Sequence, residues 1–172
     1  IFQTQETIIE NMNTMFYGDG TGNSGKDWEG LASLVDATGT VGGINQATAG
    51  NAFWASSETA VGGAITTLAM STMYNDVSVG NDQPSIIITT QDAYQDYEAL
   101  LTDQIRYTDT DVADAGFQNL LFKGAPVTFD SACTSGVMYF LNTKYLRLVG
   151  HTETWFKPTP FVRPTNQDAV FS

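Results

Sequence analysis

The apolar residues at the start of the chain recur with the spacing of an α-helix. Across residues 3–17 the apolar positions of one face are Ile8, Ile9, Met12, Met15 and Phe16. Because residues three and four apart share a face, this pattern predicts an amphipathic helix. Thr4 or Thr7 is suited to cap its start, and Gly18 is suited to end it.

The next segment, residues 18–52, is dominated by turns. It contains nine of the 16 glycines of the chain. Its only apolar stretches are short, at Leu31–Val35 and Val41–Ile44. Glycine at this density indicates backbone with positive φ and close approaches between segments, so we expect loops with little regular structure.

The helical pattern returns twice in the middle of the chain, on either side of one apolar strand. Residues 58–75 place Val61, Ala64, Ile65, Leu68 and Met73 or Tyr74 on one face, with Gly62 and Gly63 weakening the start. Ile86–Ile88, extended by Thr89 and Thr90, predicts a buried strand. Thr90 then opens a second predicted helix that runs to about Asp103. Its predicted core face consists of Ala93, Tyr97, Leu100 and Leu101.

From Phe117 onward the pattern is that of β-structure. Leu120–Lys123 and Pro126–Phe129 predict a hairpin with a turn at Gly124-Ala125, and Val137–Leu141 predicts another strand. Tyr145–Val149 alternates in the manner of a strand. The later pieces 154–156, 160–162 and 168–171 are also predicted to be extended, with prolines confining them to edges or connections.

Composition excludes several classes of partner. The 172 residues carry a net charge of −12 with a pI of about 4.1, and only seven are Lys or Arg. Non-specific nucleic-acid binding requires a basic surface, and a membrane-surface helix requires a basic face. We therefore expect no sequence-specific nucleic-acid binding and no membrane association.

The charge is distributed unevenly along the chain. Residues 1–116 contain 16 acidic and two basic side chains, whereas residues 117–172 contain three acidic and five basic ones. Such an asymmetry is first a feature of a soluble acidic surface. It also allows the acidic part of one copy to face the basic part of another.

Cysteine usage and the first residue bear on the origin of the chain. Cys133 is the only cysteine, which excludes an intrachain disulfide and fits a reducing compartment. No signal peptide or long apolar run is evident. The chain begins at Ile1 rather than Met, from which we expect it to be processed, excised or truncated.

The segment Gly20–Lys26 matches the start of a phosphate-binding loop, G-x-x-x-x-G-K. That loop requires a strand before it, a helix after it and Ser or Thr after the lysine. Here a predicted helix precedes the segment and Asp27 follows the lysine, which would place a carboxylate beside the phosphates. We therefore favour a structural loop over a nucleotide site.

Other candidate chemistry is weaker. Asp109, Asp111 and Asp114 lack the spacing of a calcium loop. The single histidine, His151, has no nucleophile elbow to serve, and the neighbours of Cys133 offer no activating positive charge. Paired carboxylates for glycoside hydrolysis stay open, because any acidic chain contains candidates. Trp28, Trp54 and Trp155 could line a sugar-binding face, although dispersed aromatic residues are more often core or interface anchors. We predict no catalytic, cofactor or metal site.

The order of segments is more specific than any single motif. A helix leads to Phe16–Gly22 (FYGDGTG), Gly39–Ile44 (GTVGGI), Asn51–Trp54 (NAFW) and Ile86–Thr90 (IIITT). Phe122–Pro126 (FKGAP), Met138–Leu146 (MYFLNTKYL), Phe161–Pro164 (FVRP) and Asn166–Ala169 (NQDA) complete the series. This order resembles the major capsid protein of tailed bacteriophages, of the Hong Kong 97 type, over most of the chain.

The resemblance implies an α+β fold of the Hong Kong 97 coat type, mainly its axial domain with parts of the peripheral domain, and a division of the chain. Residues 1–24 would be the end of the spine helix and a connecting glycine loop of the peripheral domain. Residues 25–155 would form the axial domain, and residues 156–172 would return to the peripheral domain. The amino-terminal arm, the extended loop and the carboxyl-terminal end of that family have no counterpart here. The matching hinge and motif residues are Gly18, Asp19, Gly20, Gly22, Gly42, Gly43, Trp54, Arg163 and Pro164.

The resemblance also implies a function. Copies of the chain would self-assemble into pentamers and hexamers of an icosahedral head around double-stranded DNA, assembled in the bacterial cytoplasm and located in the virion. The parent protein would meet a scaffold, a portal and a maturation protease. We expect the acidic region 92–114, including Asp109 and Asp111, to face Lys123, Lys144 and Lys157 of a neighbouring copy. A surface-exposed or secreted module that binds sugar or calcium is the alternative.

Overall fold

A computed structural model describes residues 2–101 and 120–150 of the chain. Its longer helices are α1 (Phe2–Phe16), α4 (Thr67–Asp76) and α5 (Gln91–Leu100). Between α1 and α4 lie two single helical turns, α2 (Gly22–Gly25) and α3 (Leu31–Leu34). The same region holds the two-residue strands β1 (Thr40–Val41) and β2 (Ile44–Asn45) and a 3-10 turn at Ala52–Trp54.

The predicted first helix is confirmed, but its predicted start is wrong. Helix α1 already begins at Phe2, so Thr4 and Thr7 lie inside it and cap nothing. The Thr7 hydroxyl instead donates to the Gln3 carbonyl, 2.9 Å away. Gly18 lies just after the end of the helix, and its amide donates to the Met15 carbonyl at 3.1 Å.

Helix α4 is shorter than its apolar pattern predicted. Residues 58–66 are not helical, because Gly62 adopts a φ of +69° and Thr66 is extended. The Thr66 side chain accepts a hydrogen bond from the Ala69 amide at 3.1 Å and so caps the helix that starts after it. The local chemistry of one capping residue therefore overrides the longer apolar periodicity.

Helix α5 begins as predicted, directly after Thr90. Tyr97 is buried on its core face, and Leu101 packs partly buried against the same cluster. The assignment of Leu100 to that face is wrong, since Leu100 is 38% exposed. Tyr94, one turn before Tyr97, packs on the core instead because residues three apart share a face.

A four-stranded mixed sheet forms the centre of the part of the chain that the structure describes. Its strands are β3 (Ile86–Thr89), β4 (Leu120–Phe122), β5 (Ala125–Phe129) and β6 (Met138–Leu141), in the order β4-β5-β3-β6. β3 is parallel to β5, with Ile87 opposite Val127, and antiparallel to β6, with Ile87 opposite Phe140. β4 and β5 form the predicted hairpin.

Two strand predictions need correction. The hairpin turns at Lys123-Gly124 rather than Gly124-Ala125, because Lys123 and Gly124 both adopt positive φ, +49° and +90°, as a two-residue hairpin turn requires. Tyr145–Val149 forms no strand. The Tyr145 amide donates to the Asn142 carbonyl at 3.2 Å, so a turn directly follows β6 and carries the chain away from the sheet.

Each face of the sheet carries its own core. Ile87, Leu120, Ala125 and Val127 pack under three helix residues, Met70, Tyr74 and Tyr97. On the opposite face, Tyr139 and Leu141 pack against Tyr17, Leu31 and Cys133, with Ile86 and Ile88 partly buried beside them. Helices and strands are thus both present around one sheet, which confirms the coarse prediction of a mixed α+β fold.

Candidate assembly surfaces

The end of α1 is fixed to the sheet by polar contacts around Asp130. Asp130 directly follows β5, and its Oδ1 accepts hydrogen bonds from Asn13 Nδ2 and from the Ala132 amide, both at 2.9 Å. Tyr17, buried beside it, has its pKa raised well above the usual range by burial and by the Asp130 carboxylate. The helix is therefore anchored near its carboxyl end.

Gly30 supplies a second attachment of the same helix. A Cβ atom at this position would lie 2.6 Å from the carbonyl oxygens of Phe16 and Gly18, and still closer to that of Met15. Only glycine allows the backbone to approach the end of α1 this closely. Leu31, the next residue, is 2% exposed and packs in the core with Tyr17.

The predicted hinge residues Gly18, Asp19, Gly20 and Gly22 lie between these two attachments. Asp19 Oδ1 accepts hydrogen bonds from the amide and the hydroxyl of Thr21, and these bonds lower the pKa of the Asp19 carboxyl. Gly20 adopts a φ of +80°. A Cβ atom at Gly22 would collide with the Asp27 carboxylate. The glycine loop is thus a compact turn with internal contacts.

The other predicted motif residues form a separate unit. Gly42 and Gly43, at φ of +58° and +80°, make the two-residue turn between β1 and β2. Trp54 Nε1 donates to the Val41 carbonyl at 3.1 Å, and the Trp54 carbonyl accepts from the buried Gln46 side chain at the same distance. The structure thus brings Trp54 onto the hairpin that carries Gly42 and Gly43.

The two described lysines of the predicted interface differ in their surroundings. Lys123 is exposed at the β4–β5 turn, where Nζ donates to Asn75 Oδ1 at 2.8 Å and lies 5.0 Å from the centre of the Tyr74 ring. No carboxylate of the described residues pairs with it. Within residues 2–101 and 120–150, its charge therefore has no acidic partner.

Lys144 already has an acidic partner within the chain. Its Nζ lies 2.9 Å from Asp82 Oδ1, and the Tyr145 hydroxyl donates to the other oxygen of Asp82. Hydrogen bonds from Tyr145 and Lys144 lower the pKa of Asp82, and the bond to Asp82 raises the pKa of Lys144. Of the two lysines, Lys123 is the better candidate for a contact between copies.

A shallow groove of about 510 Å³, here called the α1 groove, runs along the first helix. Three apolar side chains of α1, Ile9, Met12 and Phe16, line it together with Trp28 and Leu148. Glu6 and Glu10, one helical turn apart, also line it. Ile9 is 66% exposed. The groove therefore has a mainly apolar lining with two carboxylates, those of Glu6 and Glu10.

The segment Gly20–Lys26 does not have the setting of a phosphate-binding loop. Helix α1 precedes it, and the residues after Lys26 are irregular until α3 begins at Leu31. Asn23 and Ser24 adopt left-handed conformations within the turn.

Cys133 is buried, which raises the pKa of its thiol to about 11 and keeps it protonated near neutral pH.

Several predicted residues lie outside the described part of the chain. These are Asp109, Asp111, Asp114, His151, Trp155, Lys157, Arg163 and Pro164. Within residues 2–101 and 120–150, no group of three or more His, Cys, Asp or Glu side chains is arranged to hold a metal ion. In the same ranges, no helix is both long and apolar enough to cross a bilayer.

Sequence reasoning missed the residues that attach α1. Asp130 stands among ordinary turn residues, and its partner Asn13 is 117 positions away, so no local pattern connects them. Gly30 gave no signal that distinguished it from eight other glycines of the same region. The apolar face predicted for residues 3–17 was the one available sign of the α1 groove, since Ile9, Met12 and Phe16 of that face line it.

The chain was compared with protein families, curated proteins and solved structures. No family model, no curated protein and no solved structure matches the chain.

Proposed function

We propose that the chain is a structural coat protein of the tailed-bacteriophage Hong Kong 97 type. Its copies would associate into pentamers and hexamers of an icosahedral shell that encloses double-stranded DNA. The division into a spine-helix end, an axial domain and a returning segment is part of the same proposal. No catalysis is required of such a protein, because its work is to bury surface between copies.

The observation that carries the proposal is the exposed apolar face of α1. Residues 3–11 of the helix are all exposed, including Ile8 and Ile9 at 39% and 66%. A helix of about 15 residues is marginal in water by itself, and most helices are stabilised by packing of their apolar face. Helix α1 is anchored at one end, and its exposed apolar residues can be buried against a second copy of the chain.

The order of elements supports the same proposal. Helix α1 passes through the glycine loop into a mixed α+β body, the sequence of parts that the resemblance implies. The acidic composition is also suitable for the inside of a DNA-filled shell, because it avoids attraction to phosphates.

The test is the association state of the 172-residue chain. We expect native mass spectrometry and sedimentation velocity across micromolar concentrations to detect oligomers, with pentamers and hexamers prominent. Electron microscopy would then show whether these form closed shells. A chain that stays strictly monomeric over the whole range would contradict the proposal.

The lysines provide an internal check. Changing Lys123 to Ala should weaken association more than changing Lys144 to Ala, because Lys144 is already paired with Asp82. Lys157 can be changed in the same series. If a variant with all three lysines changed to Ala associates as strongly as the wild type, these lysines are not part of the interface.

A further inference from the structure

We infer that the α1 groove of one copy receives the hairpin tip of a second copy. The hairpin tip is defined as Lys123 and Gly124 together with the neighbouring Leu121. The inference rests on the proposed self-association and names the two surfaces that make the contact. It replaces the acidic 92–114 region with the α1 groove as the surface that Lys123 meets.

The two surfaces are complementary in charge. Glu6 and Glu10 line the α1 groove, and no lysine, arginine or histidine occurs in α1. The hairpin tip presents one ammonium group that no carboxylate of the described residues neutralises. A lysine placed between two glutamates one helical turn apart makes a favourable charged contact.

They are also complementary in shape and polarity. The tip is a tight two-residue turn, with Leu121 41% exposed beside it. The groove offers apolar side chains, Ile9 and Trp28 among them, on which such a residue can be buried. Asn75 and the Tyr74 ring already hold the lysine side chain, so less side-chain entropy is lost on binding than for a free lysine.

The contact must be between copies, because the two surfaces lie at opposite ends of β5. The hairpin tip immediately precedes the strand, whereas Asp130, which holds Asn13 of α1, immediately follows it. Five residues of strand separate the ends by about 17 Å. Residues 3–11 of α1 are exposed, so they are not packed against the sheet between its two ends.

Different surfaces at opposite ends give a head-to-tail contact. Each copy then offers one groove and one tip, and a series of such contacts closes into a ring when the rotation between copies allows it. A single contact of this size is weak, so stability comes from several contacts in one ring. The occupant that the charges favour is therefore a second copy of this chain.

A charge exchange tests the pairing. In sedimentation velocity of the full chain, the double variant Glu6→Lys/Glu10→Lys should weaken association about tenfold or more, and Lys123→Glu should do the same. Combining the three changes should restore association, because the attraction is recreated with opposite signs. Circular dichroism melts confirm that each variant is folded.

The matched control changes two other exposed acidic residues with the same spacing on a helix. Asp92→Lys/Asp96→Lys on α5 alters the net charge by the same amount and leaves the α1 groove intact. Association should then persist. If this control abolishes association while the α1 variant does not, Lys123 meets the 92–114 region and the inference is overturned.

Disulfide capture gives a readout independent of charge. A mixture of Glu10→Cys and Lys123→Cys chains should form a mixed dimer on mild oxidation, whereas Asn11→Cys, exposed on the same helix but outside the groove, should not. A Glu10→Cys/Lys157→Cys chain that instead closes on itself as a monomer would assign the groove to the chain's own residues 151–172.

The outcomes separate the two proposals. If the wild-type chain associates, and the α1 and Lys123 variants associate with the same affinity, the contact is overturned and the coat function still stands. A wild-type chain that never associates overturns both.

Discussion

The two faces of the central sheet are covered by different means. On one face, α4 and α5 place Met70, Tyr74 and Tyr97 over the strands. On the other, the cover consists of the end of α1, the single turn α3 and the loop after β5, which contribute Tyr17, Leu31 and Cys133. The first is a regular helix-on-sheet layer, and the second is an irregular layer.

The difference determines what holds each layer in place. The helical face depends mainly on apolar burial. At its margin, hydroxyl groups donate to backbone carbonyls, and the Tyr97 hydroxyl donates to the Leu121 carbonyl at 2.9 Å. The irregular face depends on a few specific contacts, namely the Asp130 hydrogen bonds and the close approach at Gly30. The irregular face therefore adds a few specific contacts to its own apolar cluster, whereas the helical face relies mainly on apolar burial.

The largest effect should come from the centre of the helical face. Tyr97 is 1% exposed, and Tyr97→Ala removes its ring from the core and a hydrogen-bond donor from Leu121. Truncation of a buried aromatic residue costs about 3–5 kcal/mol. Urea unfolding should show this loss, and Tyr97→Phe, which keeps the ring, should lose much less. Similar losses for both variants would contradict a mainly apolar layer.

On the irregular face, one methyl group should have a large effect. Gly30→Ala forces the backbone away from the carbonyls that end α1, and overpacking of this kind costs about 1–3 kcal/mol. Thermal melts should register it. Gly63→Ala is the matched control, since that glycine has no neighbour within 4 Å and no positive φ. Equal melting temperatures for the two variants would disprove the close approach.

The irregular face should also respond to alkaline pH. Burial raises the pKa of Cys133 from 9.0 to about 11, so the folded state holds the thiol proton more tightly than the unfolded state. Stability from this group is present below pH 9 and is lost as pH rises toward 11. Burial raises the pKa of Tyr17 in the same direction. Melts from pH 8 to 11 should therefore show a decline that Cys133→Ala reduces, and an unchanged slope would contradict this account.

The smallest effect should come from the surface pair of Lys144 and Asp82. Both groups are solvent-exposed enough for water and salt to screen their attraction. Lys144→Met should shift the melting temperature by an amount near the limit of detection, and added salt should shrink it further. A large shift would mean that the turn after β6 matters more to the fold than its exposure indicates.

The sequence predicted best the parts whose physics is local. The apolar spacing of residues 3–17, the apolar run at Ile86–Ile88 and Thr90 before α5 each correspond to an observed element. The errors lie where another local rule competed with periodicity. Thr66 caps α4, which begins nine residues after the predicted start at 58. The turn at Asn142–Tyr145 prevents the alternating Tyr145–Val149 from continuing as a strand.

The candidate surfaces were predicted only in part. Lys123 and Lys144 were equivalent in the sequence, and only the fold distinguishes them, because it places Asp82 beside one and Asn75 beside the other. The groove required knowledge of which residues lie against α1. Trp28 and Leu148 are 120 positions apart, and no pattern in the sequence relates them.

The types of the main elements, the excess of negative charge and the lack of a disulfide within these 172 residues follow from the sequence alone, since they depend on composition and on neighbours along the chain. Only the fold shows that the backbone at Gly30 approaches the end of α1, that Lys144 but not Lys123 has an acidic partner among the described residues, and that residues 3–11 of α1 are exposed. These properties depend on contacts between residues such as Asn13 and Asp130, and short-range periodicity contains no information about pairs so distant along the chain.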